Sequence, residues 1–472
     1  MLPYDFPQLC HSFQQASAPF LNDGGLPFAN VLSAAAIERA FGEEHVDFGG
    51  NTNEAVFTPP VVLWAFLSQV LESDKACRAA VQRILAMRVA SGQQPCSSDT
   101  AAYCRGRAKL PASVLKHLTL ETGSNLDALI PEDWLWHGKH VEIVDGTTLT
   151  MPDTAANQEA FPQLNTQEEG AGFPIIRMVV LMSLATGSLL DMAFGPYEGK
   201  KTGETALLRK LLVNVRPGTI LLADRYYCNY WLVAMAQALG LDVVFRMHQL
   251  RDFDFRRGQR LGEDDHVVRW MRPQRPEWMD KATYAKMPLT LTMRELRFHI
   301  DNSACRTEEI TIATTLSDAT IYAKEAVADL YHDRWHVEPD IFALKQSLGM
   351  DHLRCKTPFM IEKELWVHLL GYNLIRKTGC QAAQLGEVHP RAVSFTATKQ
   401  LLNAIRVQMT QARAPERTAQ GLLLLRELAK ARVGNRPDRC EPRLVKRRPK
   451  QYKHLRKPRA EAQAELKRKK VA

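Results

Sequence analysis

Long apolar runs, a signal peptide and paired cysteines are all missing from this sequence. No run of about 18 apolar residues occurs, which argues against a membrane-spanning helix. The first ten residues, MLPYDFPQLC, lack the basic start and apolar core of a signal peptide. The nine cysteines are scattered without a CxxC pair, which argues against a disulfide framework and a structural zinc site. We therefore expect a cytoplasmic protein with no membrane partner.

The positive charge is concentrated at the C-terminal end of the chain. The 472 residues, enough for two to four domains, carry a net charge of +9. Residues 431–472 hold sixteen Lys and Arg against four Asp and Glu, so this tail carries +12 and the remainder about −3. A basic tail on a near-neutral body favours a polyanion partner, most plausibly nucleic acid. The alternative is a solvated tail without a specific partner.

The apolar residues change their period along the chain. Residues 59–122 have helical spacing. From about 138, HVEIVDG, FPIIRMVVLMSLAT and GSLLDMAFGPY read as strands, and helices and two further strands, TILLADR and LDVVFRM, follow. This order predicts an α/β sheet whose antiparallel part comes first. Residues 250–318 are Arg-rich and then strand-like, which predicts a mainly β insertion.

Two acids follow or lie on apolar strands, where an ionised carboxylate is unexpected. They are Asp145 in VEIVDGTT and Asp224 in TILLADRYY. If the two strands are neighbours, the carboxylates meet near the strand ends, where open α/β sheets commonly bind ligands. A turn cap is the alternative for each Asp taken alone.

The stretch YHDRWHVEPDIFALK, residues 331–345, reads as one long helix. At about 100° per residue, four polar groups fall within a roughly 60° stripe inside the apolar arc. These are Tyr331, Arg334, Glu338 and Lys345. Pro339 predicts a kink in the helix, because proline removes a hydrogen bond and clashes with the carbonyl four residues earlier.

This mixture of groups suits a site that handles phosphate. A carboxylate holds a hard metal ion, the cations neutralise phosphate oxygens, and a phenol donates a hydrogen bond. Together with Asp145 and Asp224, Glu338 would provide the carboxylates for two-metal phosphodiester chemistry. A half-buried salt bridge from Glu338 to Arg334 or Lys345 is the alternative.

These residues resemble the DDE transposases of bacterial insertion sequences. The closer resemblance is to the insertion-sequence-four-like branch, which has a Tyr-x2-Arg-x3-Glu-x6-Lys signature. The signature is met here by Tyr331, Arg334, Glu338 and Lys345. Asp145 and Asp224 match the first two acids of that family. The resemblance covers roughly residues 55–376.

The resemblance implies an α/β fold with an RNase H-like catalytic core that is interrupted by the β insertion. The expected regions are an N-terminal helical, DNA-binding domain at 1–136, the first part of the core at 137–249, the β-rich insertion at 250–318, the last part of the core at 319–385, and a C-terminal helical region with the basic tail at 386–472.

The resemblance also implies cut-and-paste transposition with a hairpin intermediate and strand transfer into target DNA. Asp145, Asp224 and Glu338 would be the catalytic residues and would bind two Mg²⁺ ions, for which Mn²⁺ would substitute. Tyr331, Arg334 and Lys345 would grip DNA phosphate. The implied partners are double-stranded transposon ends and target DNA, bound by a homodimer in the bacterial nucleoid.

Two tryptophans of the insertion, Trp270 and Trp278, are candidates to stack on a flipped base, and the alternative for each is a core position. Two other functions stay open at this point. One is an RNase H-like nuclease without strand transfer. The other is a transposase-derived DNA-binding protein that no longer cuts, which Pro339 beside Glu338 would slightly favour.

Overall fold

The computed structural model describes residues 32, 34–46, 56–90, 92–199, 201–248, 251, 254–299, 309–411, 414–434 and 456–471. The chain forms two compact units. The first contains Met1–Leu135, Ala185–Leu190 and Glu338–Val433, and the second contains Trp136–Leu184, Asp191–Val337 and Gly434–Ala472. Every described helix is too short or too polar to cross a membrane. Half of the basic tail, residues 435–455, lies outside the described residues.

A mixed sheet is the framework of the second unit. Its strands are β1 (Val141–Thr150), β2 (Ile175–Ser183), β3 (Leu189–Pro196), β4 (Ile220–Ala223), β5 (Asp242–Arg246), β6 (Gln259–Gly262), β7 (Asp265–Met271), β8 (Thr290–His299) and β9 (Glu309–Thr314). The order of the described strands is β3-β2-β1-β4-β5-β9-β8-β7-β6. β1 pairs in parallel with β4, and β4 with β5. β1–β2, β5–β9 and the pairs from β6 to β9 are antiparallel.

The predicted α/β order is confirmed for the part of the sheet that carries the two acids. All four residues of β4 are buried, as expected for an apolar strand between two parallel neighbours. The helices of this unit are α6 (Ala155–Ala160), α7 (Glu204–Leu211), α8 (Tyr230–Ala238), α9 (Lys281–Lys286), α10 (Lys324–Asp333) and α15 (Arg459–Val471). The buried face of α7, made of Ala206, Leu207, Leu208 and Leu211, belongs to a helix that packs against β2.

Strands β6 to β9 continue the same sheet, because β9 pairs with β5. A buried ion pair lies among them: Arg294 Nε donates to Asp265 Oδ1 at 2.8 Å, and Nη2 donates to Oδ2 at 2.5 Å. Arg294 also donates to the carbonyl of Tyr322 at 2.6 Å. The four strands in the region predicted as a mainly β insertion therefore extend the central sheet.

The first unit is helical in its described part. Its helices are α1 (Ala34–Glu43), α2 (Pro59–Leu71), α3 (Cys77–Ala90), α4 (Ala101–Lys109), α5 (Ala112–Ala128), α11 (Val337–Phe342), α12 (Pro358–Leu385), α13 (Phe395–Gln411) and α14 (Ala414–Lys430). The first residue of α11, Val337, still belongs to the second unit. The long helix α12 packs against α2, α5, α13 and α14. Every residue of α2 from Val61 to Leu71 is buried, which follows from its almost unbroken apolar sequence.

The prediction of one long helix over residues 331–345 is wrong. Helix α10 ends at Asp333, residues 334–336 form a 3₁₀ turn, α11 follows, and residues 343–347 form a π-helical turn. Pro339 is the third residue of α11, so its missing N–H falls in a first turn, where such donors have no partner within the helix. The 3₁₀ turn immediately before α11 thus replaces the predicted kink.

The break also changes which side chains are buried. Glu338 is exposed, although the single-helix wheel placed it among apolar residues. On the same wheel, at about 100° per residue, Asp340 falls on the side opposite the stripe of polar groups, yet it is only 1% exposed. Trp335 and Phe342 are exposed as well. The wheel fails because neither a 3₁₀ turn nor a π turn advances by the 100° per residue of an α-helix.

Candidate functional site

Asp145 and Asp224 lie at the same level on neighbouring strands. The parallel register pairs Ile143 of β1 with Leu222 of β4, and each aspartate comes two residues after its member of that pair. Asp145 is within β1, and Asp224 follows the last residue of β4. The condition under which the sequence places the two acids together, that their strands are neighbours, is met by the parallel β1–β4 pairing.

Both aspartates accept hydrogen bonds from nearby backbone. Asp145 Oδ1 accepts from the N–H of Gly146 at 2.8 Å, and Asp224 Oδ1 accepts from the N–H of Tyr226 at 2.8 Å. The contact of Asp224 is the turn-capping role that the sequence leaves as an alternative. One oxygen of each carboxylate is used in this way, which orients the side chain.

Glu204 is a third acid of this site that sequence reasoning missed. It is the first residue of α7, and its carboxyl group packs on Gly146: a Cβ at residue 146 would lie 2.4 Å from Glu204 Cδ. The buried Tyr227 hydroxyl donates to Glu204 Oε2 at 3.2 Å. An acid in the first turn of a helix is common, because it interacts favourably with the helix dipole. Nothing in the sequence therefore distinguishes Glu204 as a residue of the site.

The three carboxyl groups influence one another. The pKa of Asp145 is raised from 3.8 to about 6, mainly by burial; the Gly146 N–H and Arg334 oppose this rise, and the negative charges of Asp224 and Glu204 contribute to it. Burial also raises the pKa of Glu204, against the hydrogen bond from Tyr227. A concentration of carboxylates in a half-buried place is typical of a site that a cation neutralises.

Tyr331 and Arg334 are buried polar residues of the second unit, which also contains the three acids. Tyr331 is 1% exposed and Arg334 is 8% exposed. In the described part of the chain, neither Tyr331 Oη nor Arg334 Nε has a partner with acceptable hydrogen-bond geometry. The Arg334 guanidinium lies 4.9 Å from the centre of the Trp335 ring. Buried polar atoms without partners are rare, and they indicate a ligand that would complete them.

Glu338 and Lys345 belong to the first unit. Glu338 directly follows Val337, with which the second unit ends at this point of the chain. Its side chain is exposed, and Lys345 lies half-buried in the π-helical turn after α11. Four residues of the predicted site therefore belong to the second unit: Asp145, Asp224, Tyr331 and Arg334. Glu338 and Lys345 belong to the first unit.

The two tryptophans have different environments. Trp270 is buried, its Nε1 donates to Glu295 Oε1 at 2.7 Å, and the Arg251 guanidinium lies 3.7 Å from its ring centre. Trp278 is 37% exposed and has Arg209 at 3.8 Å from its ring centre. These surroundings favour a core role for Trp270 and leave base stacking as a prediction for Trp278.

Carboxylate oxygens of this kind suit Mg²⁺ or Mn²⁺. Over the described ranges, however, no three His, Cys, Asp or Glu side chains are arranged closely enough to hold an ion by themselves. The donor chemistry therefore fits a divalent cation that also takes water and phosphate oxygens as ligands, which is how Mg²⁺ is usually bound.

This chain is similar to known proteins. The cryo-EM structure of the piggyBac transposase synaptic complex with hairpin DNA aligns with a TM-score of 0.43 and 10% identity, covering 91% of this chain and 88% of that one. Transposase InsG for insertion sequence element IS4 of Escherichia coli (strain K12) is 26% identical over 404 residues, which are 83% of this chain and 86% of that protein.

A second relative from the same organism, putative transposase InsZ, is 26% identical over 141 residues, which are 29% of this chain and 46% of that protein. The family model described as the transposase DDE domain matches residues 136–374, about half of the chain. This segment begins shortly before β1 and ends within α12, and it includes both aspartates, Glu204 and residues 331–345. The chain belongs to the DDE-domain transposases.

Proposed function

We propose that this transposase cuts DNA at the ends of its insertion sequence and joins the freed ends to target DNA. Asp145, Asp224 and Glu338 are the three catalytic acids in this proposal. The observation that carries it is the placement of Asp145 and Asp224 at the same level of the adjacent strands β1 and β4. Glu338 completes the set through the family resemblance and through its exposed position on a short helix.

Two Mg²⁺ ions, or Mn²⁺ in their place, are the cofactor that this set of acids fits. When bound, the metal activates the attacking oxygen and stabilises the leaving oxygen of a phosphodiester. The chain contributes half-buried carboxylates oriented by backbone N–H groups. The pKa of Asp145 is raised mainly by burial and also by the neighbouring acids, and a bound cation would stabilise the charged form of this carboxylate.

Tyr331, Arg334 and Lys345 bind the DNA backbone near the cut. Arg334 Nε and Tyr331 Oη are buried donors with no acceptor among the described residues, and phosphate oxygens are acceptors of the required kind. The guanidinium lies 5.7 Å from the ring centre of Tyr331 and 4.9 Å from that of Trp335, and these contacts restrict its movement. A planar guanidinium fixed in this way suits the two-oxygen face of a phosphate.

The reaction sequence follows from the signature that residues 331–345 share with the insertion-sequence-four-like branch. Water attacks the phosphodiester at the element end and releases a 3′ hydroxyl. That hydroxyl attacks the opposite strand, which forms a hairpin and releases the flanking DNA. Water reopens the hairpin, and the 3′ hydroxyl then attacks target DNA. The protein acts as a homodimer on two paired ends, in a bacterial nucleoid.

The test uses the full chain, Mg²⁺ and labelled DNA that spans the junctions flanking its own coding sequence. Hairpin ends support the proposal, nicks without hairpins support a nuclease without strand transfer, and binding without cutting supports a DNA-binding protein. Asp145→Asn, Asp224→Asn and Glu338→Gln should each abolish cutting while DNA binding survives. Wild-type cleavage by any of the three variants would contradict its assignment.

A further inference from the structure

A buried ion cluster lies two residues after Glu338. Asp340 is 1% exposed, and its two carboxylate oxygens accept from different arginines. Arg376 of α12 donates to Oδ1, and Arg391 donates to Oδ2 at 2.5 Å. All of these residues belong to the first unit. The second residue after Glu338 is therefore the point at which α11 is attached to the interior of this unit.

Arg376 is itself fixed by further partners. Its Nε donates to the hydroxyl oxygen of Tyr372 at 2.9 Å, and that hydroxyl donates to the carbonyl of Gly187 at 2.7 Å. The guanidinium lies 5.1 Å from the ring centre of Phe395. Through these contacts the Asp340 carboxylate is connected to α12, to the start of α13 and to the turn before β3.

The turn at Gly187 fits closely against both guanidinium groups. Its φ is +71°, and a Cβ there would lie 2.8 Å from Arg391 Nη1 and 3.0 Å from Arg376 Cζ. Glycine is the residue that satisfies both the left-handed backbone and the close approach. The turn thus holds the two arginines in the positions from which they reach Asp340.

The cluster is more important for the orientation of α11 than for the stability of the folded chain. Two guanidinium groups share one carboxylate, and buried ion groups of this kind are often no more stabilising than apolar side chains of similar volume. Their bonds, however, have fixed directions. Helix α11 has six residues between a 3₁₀ turn and a π turn, so no continuous helix sets its rotation. The Asp340 anchor sets it instead.

We propose that Asp340 is a positioning residue for Glu338. By holding α11 from its buried side, the Asp340–Arg376–Arg391 cluster fixes the direction in which the exposed Glu338 carboxylate presents its oxygens to the metal. Pro339, between the two acids, has a fixed φ and reduces the remaining freedom. This inference rests on the proposed role of Glu338.

The test compares Asp340→Asn with Asp265→Asn in the full chain. Asp265 forms a buried ion pair with Arg294 in the second unit. Asp265→Asn therefore also removes a buried carboxylate charge, but at a position far from Glu338 in the sequence. The readouts are the Mn²⁺ concentration for half-maximal cleavage, Mn²⁺ binding followed by electron paramagnetic resonance, hydrogen exchange over residues 337–342 and thermal unfolding. Asp340→Asn should raise both Mn²⁺ midpoints by about 10- to 100-fold and accelerate exchange in α11.

Asp265→Asn should lower the unfolding temperature and leave both Mn²⁺ midpoints and exchange in α11 unchanged. If folded Asp340→Asn matches Asp265→Asn in these readouts while Glu338→Gln is inactive, the inference is overturned and the proposed function stands. If Glu338→Gln cleaves normally, the proposed function fails first. If Asp340→Asn does not fold, Gly187→Ala, which keeps every charged group, decides by the same readouts.

Discussion

The carboxyl group of Glu204 occupies the space where residue 146 would have a side chain. An ideal Cβ on Gly146 would lie 2.4–2.8 Å from the three carboxyl atoms of Glu204. The same Gly146 donates its N–H to Asp145 Oδ1 at 2.8 Å. One glycine therefore contacts two acids, and its missing side chain is what lets Glu204 approach β1.

Gly146→Ala should displace Glu204 and disturb Asp145 without removing a functional group. Overpacking of this kind costs about 1–3 kcal/mol of unfolding free energy. We expect cleavage of end DNA to fall by about 10- to 100-fold, because a displaced neighbour changes how the acids of the site bind a cation. Cleavage rates and urea unfolding measure the two effects.

Gly195→Ala is the matched control for this change. Gly195 lies in β3, and a Cβ there would meet only side-chain carbons at 3.9 Å, which is an ordinary contact. Its cleavage rate should stay close to that of the wild type. Equal loss of activity in both variants would show that the contact between Glu204 and residue 146 has no special role.

Arg334→Lys should weaken the binding of end DNA although the positive charge is kept. Lysine lacks the planar group that lies near the Trp335 ring and the Nε atom that has no partner among the described residues. One lost charge-assisted hydrogen bond corresponds to about 1.5–3 kcal/mol, or roughly a 10- to 100-fold higher Kd. Fluorescence anisotropy with labelled end DNA measures it.

Arg216→Lys provides the comparison, because Arg216 is exposed and contacts His140, the residue directly before β1, at 2.8 Å. Its Kd should be close to that of the wild type. An unchanged Kd for Arg334→Lys would remove Arg334 from the proposed phosphate contacts.

We expect Trp270→Ala to reduce the stability of the protein and Trp278→Ala to reduce its interaction with DNA bases. Trp270 is buried and donates to Glu295, so its truncation should lower the unfolding free energy by about 3–5 kcal/mol. Trp278 is partly exposed, so its truncation should leave stability nearly unchanged and lose about 1–3 kcal/mol of base stacking.

An abasic DNA substrate distinguishes stacking by Trp278 from other effects. If Trp278 holds a flipped base, Trp278→Ala should slow hairpin formation on intact DNA and have no further effect where that base is missing. An equal effect on both substrates would rule out stacking as its function.

His368 should make the first unit sensitive to acid. The pKa of His368 is lowered from 6.5 to about 3, mainly by burial and also by the nearby charge of Lys75. The imidazole is therefore neutral in the folded chain and takes up a proton on unfolding below about pH 6.5. Stability falls as the pH drops from 6.5 toward 3, by about 1.4 kcal/mol per pH unit for one proton.

His368→Gln removes this titration, so between pH 4 and 6 its unfolding free energy should depend less on pH than that of the wild type. His117→Gln is the control, since His117 is exposed and forms an ion pair with Glu121. Urea unfolding at each pH gives the slopes. Identical slopes for wild type and His368→Gln would contradict the neutral, buried state.

The sequence by itself predicted the elements that local patterning controls. A strand that is buried on both faces has a continuous apolar sequence. The two acids Asp145 and Asp224 were therefore recognisable as charged residues on or directly after such strands. The helices at 59–122 followed from spacing alone. The family also followed from the sequence, through the spacing of a few polar residues. The assignment of Glu338 as the third acid stays a prediction.

The tertiary structure decided what depends on residues distant along the chain. Glu204 approaches Asp145 only because β1 leaves a gap at Gly146, and Asp340 is buried because Arg376 and Arg391 reach it from later elements. The helical wheel erred on Asp340 and Glu338 because it assumes one constant rotation per residue. Short-range periodicity contains no information about such long-range partners, so only the folded chain could reveal them.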